Sequence, residues 1–402
     1  MGGLGSEYDF ISTGNGTFDN FGLDYVEADG LDQIFSNSRF ERADYPANLQ
    51  PGRTVNADLN NDGRDELIVA DTSERGSGFS LLFNQGDGSF DLPIDITTAT
   101  SSSGAGDDPS LDVGDIDGDG NIDLITVNPE TDEVSIYFND GDGNLSLPST
   151  FEAGDRPVIS ETADIDSDDS TDVVLINSEF DEFGVGYQGD SLSVLFNRPD
   201  DNVFTLTAGE GVEDVVAADL DGDGDVDLAT ANQVDDTVSV LFNLGNILFT
   251  SPITFPVGDR PVSIVADDFD GNGSIDLATS DFGDEGTGTV SVLRNIGNGF
   301  FAPALTYETN DFPSTMSAAD LDGDGDSDLV MRNSVFFESG DRRGNSIAVL
   351  LNNGDATFDA PISFTVGDVP VGLIVEDLDG NNKLDLATSN FESQDVTVYL
   401  QS

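Results

Sequence analysis

The 402-residue sequence contains no cysteine, no histidine and no tryptophan, and sets only 13 lysines and arginines against 80 aspartates and glutamates. Without Cys and His there are no disulfides, no thiolate or imidazole metal sites, no cysteine nucleophile and no Ser-His or Cys-His catalytic pair. A formal charge of −67 excludes a nucleic-acid binder that works by neutralising phosphates, and it opposes attraction to an anionic membrane. No apolar run nears the roughly 18 to 20 residues of a membrane-spanning helix. The stretch from Met1 to Phe10 lacks the charged and apolar regions of a secretion signal.

What is present is material for a core and for turns. Hydrophobic residues make up 37% of the chain, with 27 phenylalanines, so the acidity is not that of a disordered tail. Forty-five glycines, among many Asn, Asp and Ser, predict tight turns and little helix.

One ten-residue phrase, typified by DLDGDGDVDL, occurs seven times, at 58–67, 115–124, 164–173, 219–228, 268–277, 320–329 and 377–386. The starts are 57, 49, 55, 49, 52 and 57 residues apart, a repeat of about 50 residues. Each phrase is preceded by one strand-like segment, opened by Pro51, Pro157, Pro261, Pro313 or Pro370 in five units, where a strand's first residue needs no ladder donor. It is followed by two more, such as DLATA at 227–231 and TVSVLFN at 237–243, and by a fourth reached through a Gly-Asp or Gly-Asn turn. Four short strands per unit predict an all-β, seven-bladed β-propeller occupying residues 1–402 as a single domain. The last unit stops after its third strand, whereas 14–27 reads like a fourth strand with no blade before it. That segment is therefore expected to complete the last blade and close the ring, which a linear solenoid would not explain. Long connections at 178–190, 281–288 and 333–345, and a first one at 30–50, interrupt the regularity and are expected to be loops at the ring's faces.

Acids at positions 1, 3, 5 and 9 of the phrase, with Gly at 6 and a carbonyl from 7, describe an oxygen-only site for a hard cation, and calcium suits its flexible geometry better than magnesium. The side-chain ligand candidates are Asp58, Asn60, Asp62 and Glu66; Asp115, Asp117, Asp119 and Asp123; Asp164, Asp166, Asp168 and Asp172; Asp219, Asp221, Asp223 and Asp227; Asp268, Asp270, Asn272 and Asp276; Asp320, Asp322, Asp324 and Asp328; and Asp377, Asp379, Asn381 and Asp385. Asp-Gly runs are also ordinary solvated turns, but seven in register argue for a repeated site. Loops 115, 219 and 320 are complete. Those at 58, 164, 268 and 377 carry Asn60, Asp169, Asn272 or Asn382 at a key position and are expected to be weaker. The loop acids are 25 of the 80, and seven calcium ions lower the formal charge only to −53, so most acids are solubilising surface charge.

The chain resembles the FG-GAP and VCBS repeat proteins, relatives of integrin α-subunit heads, through its DxDxDGxxD loops, the Asp-Leu that follows and Gly-x-Phe-x-x-Pro turns such as 86–93. The resemblance implies a seven-bladed propeller with calcium, up to seven ions at one per blade, in loops between the first and second strands. It adds as ligands the position-7 carbonyls of Arg64, Asn121, Ser170, Asp225, Ser274, Asp326 and Lys383.

The leading expectation is a calcium-binding, secreted or cell-surface binding and adhesion module, monomeric, with no nucleic acid and no membrane insertion. It would recognise a glycan or a protein at one face, using insertion aromatics among Phe180, Phe183, Tyr187, Phe282, Phe336 and Phe337. One alternative is a secreted polysaccharide-degrading enzyme using carboxylates or Tyr and Arg. Catalysis is not expected, because no spacing among Glu179, Asp181, Glu182, Asp284, Glu285, Glu338 and Asp341 picks out a pair, and Arg332, Arg342 and Arg343 read as surface ion-pairing residues. Another alternative is a calcium-rigidified structural domain of a larger surface protein.

Overall fold

Segments such as TVSVL recur along the chain between Gly-rich loops, and β-branched alternation of this kind fits a pleated, half-buried surface. A computed structural model describes residues 40–46, 51–71, 78–97, 110–129, 131–168, 170–180, 187–197, 203–245, 247–283, 288–309, 312–336 and 342–401. Among these residues there are 28 strands and no helix.

The strands form seven four-stranded antiparallel sheets. After β1 (Phe40–Pro46), blade 1 comprises β2 (Pro51–Ala57), β3 (Glu66–Asp71), β4 (Gly78–Leu82) and β5 (Ile94–Thr97). Blade 2 comprises β6 (Ser110–Gly114), β7 (Asp123–Asn128), β8 (Glu133–Tyr137) and β9 (Ser149–Glu152). Blade 3 comprises β10 (Pro157–Ala163), β11 (Asp172–Phe180), β12 (Tyr187–Leu195) and β13 (Val203–Thr207). Blade 4 comprises β14 (Val212–Ala218), β15 (Asp227–Asn232), β16 (Thr237–Leu241) and β17 (Ile253–Pro256). Blade 5 comprises β18 (Pro261–Asp267), β19 (Asp276–Asp281), β20 (Thr289–Leu293) and β21 (Leu305–Glu308). Blade 6 comprises β22 (Pro313–Ala319), β23 (Asp328–Phe336), β24 (Arg342–Leu350) and β25 (Ile362–Thr365). Blade 7 contributes β26 (Ile374–Glu376), β27 (Asp385–Asn390) and β28 (Asp395–Gln401). The first strands β2, β6, β10, β14, β18, β22 and β26 follow one another around the axis and return to β2, so the molecule is a seven-bladed propeller.

An N-terminal strand closes the ring, but it is not the segment the repeat pattern pointed to. β1 pairs with β28 from Phe40↔Gln401 to Pro46↔Asp395 and completes blade 7, whereas 14–27 lies outside the described residues. Arg42 Nε binds Asp44 at 3.0 Å, and Asp44 accepts the Thr397 hydroxyl at 2.9 Å. The segment 14–27 carries a Gly-x-Phe turn sequence, GTF at 16–18, like the ATF before β25 and the GSF before β5. A closing strand enters from the N-terminal side and needs no such turn, so β1 sat unseen within what read as the 30–50 connection.

The core lies between blades. Seven hydrophobic clusters each join residues of two neighbouring blades, including the seam where Val396 and Val398 of blade 7 meet Leu67 and Val69 of blade 1. Second strands, covered on both faces, are buried at every residue in β15, β19 and β27, while the outer strands β9 and β21 alternate half-buried and exposed residues. Pro51, Pro157, Pro261 and Pro313 each begin a first strand, as expected; Pro370 instead makes an isolated bridge to Asn390 ahead of β26.

Two of the expected insertions are in part strand. β11 and β12 continue beyond a bulge to Phe180↔Tyr187, and β23 and β24 to Phe336↔Arg342, making long hairpins. Because strands alternate in direction, these hairpins project from the face opposite the ten-residue loops. Phe183 and Phe337, and Asp181, Glu182, Asp284, Glu285, Glu338 and Asp341, lie outside the described residues. Phe282 is half-buried, packed at 5.2 Å from Phe312 with the Arg260 guanidinium 4.8 Å above its ring. Arg332 turns inward, donating to Thr315 Oγ1 at 3.1 Å and, across the blade boundary, to the Pro370 carbonyl at 2.9 Å, so its role is not surface ion pairing.

Candidate metal centres

All seven ten-residue loops link the first strand of a blade to its second, on one face of the ring. Their curl is set by two left-handed residues. Position 6 is left-handed at Gly63, Gly120, Gly224, Gly273, Gly325 and Asn382, with φ from 62° to 98°. So is position 4, at Asn61, Gly118, Ser167, Gly222, Gly271, Gly323 and Gly380, which the ligand pattern had not singled out although Gly is the commonest residue there.

The curl aims side-chain oxygens inward and satisfies the loop's amides. In the 115 loop, Asp115 accepts the N–H of Asp119 at 3.1 Å and of Gly120 at 3.0 Å, and Asp117 accepts Asp119 N–H at 3.2 Å. Asp119 in turn accepts Asn121 N–H at 2.9 Å, a bond repeated from position 5 to position 7 at Asp168–Ser170, Asp223–Asp225, Asn272–Ser274, Asp324–Asp326 and Asn381–Lys383. Positions 1, 3 and 9 converge. One carboxylate oxygen from each of Asp115, Asp117 and Asp123 lies within 4.8 Å of the others, and the same holds for Asp164, Asp166 and Asp172, for Asp219, Asp221 and Asp227, for Asp268, Asp270 and Asp276, and for Asp320, Asp322 and Asp328. The position-5 carboxylates are not in these triads. In the 58 loop Asp62 is instead paired with the guanidinium of Arg64.

Position 9 is where chemistry and fold meet. Glu66, Asp123, Asp172, Asp227, Asp276, Asp328 and Asp385 are at most 1% exposed. Burial, reinforced by nearby loop carboxylates, raises their pKa values, to about 7 at Glu66, Asp227, Asp276, Asp328 and Asp385 and to about 6 at Asp172, with Asp123 also raised. One oxygen accepts the N–H of position 2, as in Leu220 to Asp227 at 2.9 Å, and the other accepts a backbone N–H from the end of the third strand, as in Asn243 to Asp227 at 2.7 Å. The 268 loop departs from this. Phe269 N–H bonds to the Asp267 carbonyl, which leaves the buried Asp276 Oδ2 without a hydrogen-bond donor beside Asp268 and Asp270. Buried carboxylates gathered within 4.8 Å of one another, one oxygen lacking a donor, and an all-oxygen ligand set fit a divalent hard cation such as calcium.

The sequence reading missed the residue that fixes these loops. Each third strand ends in an amide: Asn84, Asn139, Asn197, Asn243, Asn295, Asn352 and Gln401. Its side-chain NH₂ donates to the position-2 carbonyl of the preceding blade's loop, at 2.8 Å from Asn139 to Leu59, 2.9 Å from Asn243 to Ile165, 2.7 Å from Asn295 to Leu220 and 2.8 Å from Asn352 to Phe269. Asn197 reaches Ile116, Gln401 reaches Leu321 at 3.2 Å, and Asn84 reaches Leu378 at 3.1 Å across the ring closure. The seven amides make an unbroken circle of inter-blade hydrogen bonds under the candidate metal sites. The only signal in sequence was the repeated Asn after a Val-Leu-Phe-like strand.

The FG-GAP-like repeat family matches residues 58–126, 115–175, 219–279 and 268–331, more than half of the chain. No curated protein matches the sequence. Among solved structures, an Agrocybe aegerita lectin that recognises non-reducing terminal N-acetylglucosamine is 18% identical, with a TM-score of 0.52 over 79% of this chain and 81% of that one. The BBS1N chain solved in complex with ARL6DN is 11% identical, with a TM-score of 0.58 over 90% and 96%. A functionally unknown protein from Desulfotomaculum acetoxidans is 12% identical, with a TM-score of 0.53 over 87% and 92%. At these identities the likeness is one of fold.

Proposed function

The chain belongs to the FG-GAP-like repeat family, and from that membership we propose that it is a calcium-stabilised, non-catalytic binding module that works outside the cell or on its surface. The observation that carries this reading is the convergence of carboxylates at positions 1, 3 and 9 in repeated loops. The residues that would hold calcium are the loop acids together with the position-7 carbonyls. Bound calcium would supply the positive charge that the clustered, buried carboxylates lack. Each ion would also stiffen a loop to which two blades are hydrogen-bonded, so that binding stabilises the ring. FG-GAP repeats often bind calcium and are typical of extracellular or surface proteins, where calcium is abundant.

The ligand we propose is a glycan or a protein held by a single copy of the chain at the face carrying the long hairpins. The long hairpins β11–β12 and β23–β24 support that choice of face, since projections from a rigid scaffold are where binding residues concentrate. A lectin of the same fold supports a glycan. The deciding experiment is binding to a glycan array and to extracellular-matrix proteins in calcium and in chelator. Binding that is lost in chelator is expected; no binding in either condition would overturn the ligand reading, and an unchanged melting temperature on chelation would overturn the calcium reading.

A further inference from the structure

In five blades the connection from third to fourth strand follows one plan. Nine residues separate the terminal Asn from the outer strand in blades 1, 2, 4, 5 and 6, and the sixth residue after the Asn, Phe90, Leu145, Phe249, Phe301 or Phe358, forms an isolated bridge back to it. Each of these side chains packs in the cluster that contains the position-2 residue of the preceding blade's loop: Leu378, Leu59, Ile165, Leu220 or Phe269. It is a plug carried on a turn. The turn also covers the preceding blade, since a Cβ on Gly143 would meet the Phe83 ring at 3.1 Å and one on Gly299 the Phe242 ring at 2.4 Å.

Blade 3 departs from this plan. Only five residues, 198–202, separate Asn197 from β13, and their sequence, RPDDN, contains no aromatic or aliphatic side chain other than proline. These five lie outside the described residues, but the consequences are visible around them. Asn197 is exposed, whereas its six counterparts are at most 5% exposed. A cavity of about 310 Å³ opens between blades 2 and 3. It is lined by Ile116, the position-2 residue a plug would cover, by Phe138, the equivalent of Phe83 and Phe242, and by Phe151, Leu195 and Phe196. At the other boundary without such a turn, between blades 6 and 7, Tyr399 packs in the cluster that contains the position-2 residue Leu321, its ring 5.7 Å from that of Phe364.

We infer that the blade 2–3 cavity is a binding site for an aromatic side chain displayed on a turn of a partner polypeptide. The chain fills the corresponding space five times with its own turn-borne Phe or Leu, so both the shape and the chemistry of the occupant are written in the repeat. A ring entering here covers Ile116, Phe138 and Phe196, and the partner's turn has the Asn197 side chain beside it for a polar contact. The site lies on the face of the calcium loops, away from the long hairpins, and is set by the length of one connection. Its test is therefore independent of the glycan or protein ligand proposed for the hairpin face.

The probe is a synthetic peptide of residues 243–252, NLGNILFTSP, offered to the full chain in saturating calcium, beside the same peptide carrying Phe249→Ala. One-to-one binding by calorimetry is expected, at least about tenfold weaker for the Ala peptide, because burying an aromatic ring is worth more than the 1.4 kcal/mol that corresponds to tenfold. Two variants of the full chain are expected to lose the binding: a graft of residues 244–252 in place of 198–202, which installs an internal plug and raises the melting temperature, and Thr150→Trp, which fills the cavity from an exposed position at its rim. Equal affinity for the two peptides, no binding at millimolar peptide, or undiminished binding by Thr150→Trp would each overturn the inference. N-acetyl-phenylalaninamide binding as tightly as the peptide would overturn the polypeptide assignment and make this a site for free small aromatics.

Discussion

Asn139 in blade 2 donates its side-chain amide to the carbonyl of Leu59 in blade 1 at 2.8 Å, a buried contact between residues 80 positions apart. Through its backbone N–H the same residue holds Asp123 of its own loop at 2.9 Å. One residue thus ties two candidate metal loops in neighbouring blades. Repeated around the ring, this contact couples blade packing to loop geometry.

Replacing Asn139 by alanine leaves the Leu59 carbonyl buried without that donor, at a cost of about 1 to 3 kcal/mol. Asn197→Ala, at the exposed member of the circle, is expected to cost less than half as much. Denaturant unfolding of the two variants in calcium compares them directly; equal losses would mean that the amide circle does not contribute to stability in proportion to its burial.

Calcium should raise the melting temperature by an amount on the order of 10 °C, since each site held at about ten times its Kd contributes about 1.4 kcal/mol. Asp221→Asn keeps an oxygen for the Asp223 N–H but removes a carboxylate from the Asp219, Asp221 and Asp227 triad. Calorimetric stoichiometry is expected to fall by one ion in this variant. In the 58 loop, where Arg64 already pairs with Asp62, removing the arginine by Arg64→Ala should strengthen calcium binding at that site.

The buried carboxyl of Asp281 accepts the hydroxyls of Thr279, Thr289 and Ser291 at 2.7, 2.9 and 2.6 Å, and burial nevertheless raises its pKa to about 6. A carboxyl raised on folding favours the folded state most when protonated. Its contribution is therefore full below about pH 4 and is lost as pH rises through about 6. The same ladder position is Asn in blades 2, 3, 4, 6 and 7, at Asn128, Asn177, Asn232, Asn333 and Asn390. Asp281→Asn, in saturating calcium, should therefore fold normally and abolish this part of the pH dependence, making the variant relatively more stable at pH 8 than at pH 5. Melting curves at the two pH values decide it.

Deleting residues 1–46 removes β1 and exposes β28 as an open edge, so the truncated chain is expected to melt many degrees lower and to aggregate. Deleting residues 1–39 retains the whole β1–β28 ladder and should leave the melting temperature close to that of the full chain. A comparable loss from the shorter deletion would show that ring closure needs more than β1.

The sequence alone determined the number of blades, the order of strands within each and the loops where hard-cation ligands gather, because all three repeat at a fixed spacing and repetition is legible without coordinates. Asp115, Asp117 and Asp123 could be read as partners from one phrase, since their separation is local. What only the tertiary structure decided lies where the pattern breaks or where partners are a blade apart. β1 closes the ring without the turn that leads into β5, β9, β17, β21 and β25. Asn139 finds Leu59 only after two blades have packed. The cavity over Ile116 exists because one connection is four residues shorter than its counterparts, and a missing side chain leaves no motif to find. Local chemistry is written in adjacent residues; packing between repeats depends on what each repeat lacks relative to its neighbour, and that difference acquires meaning only when the two are brought together.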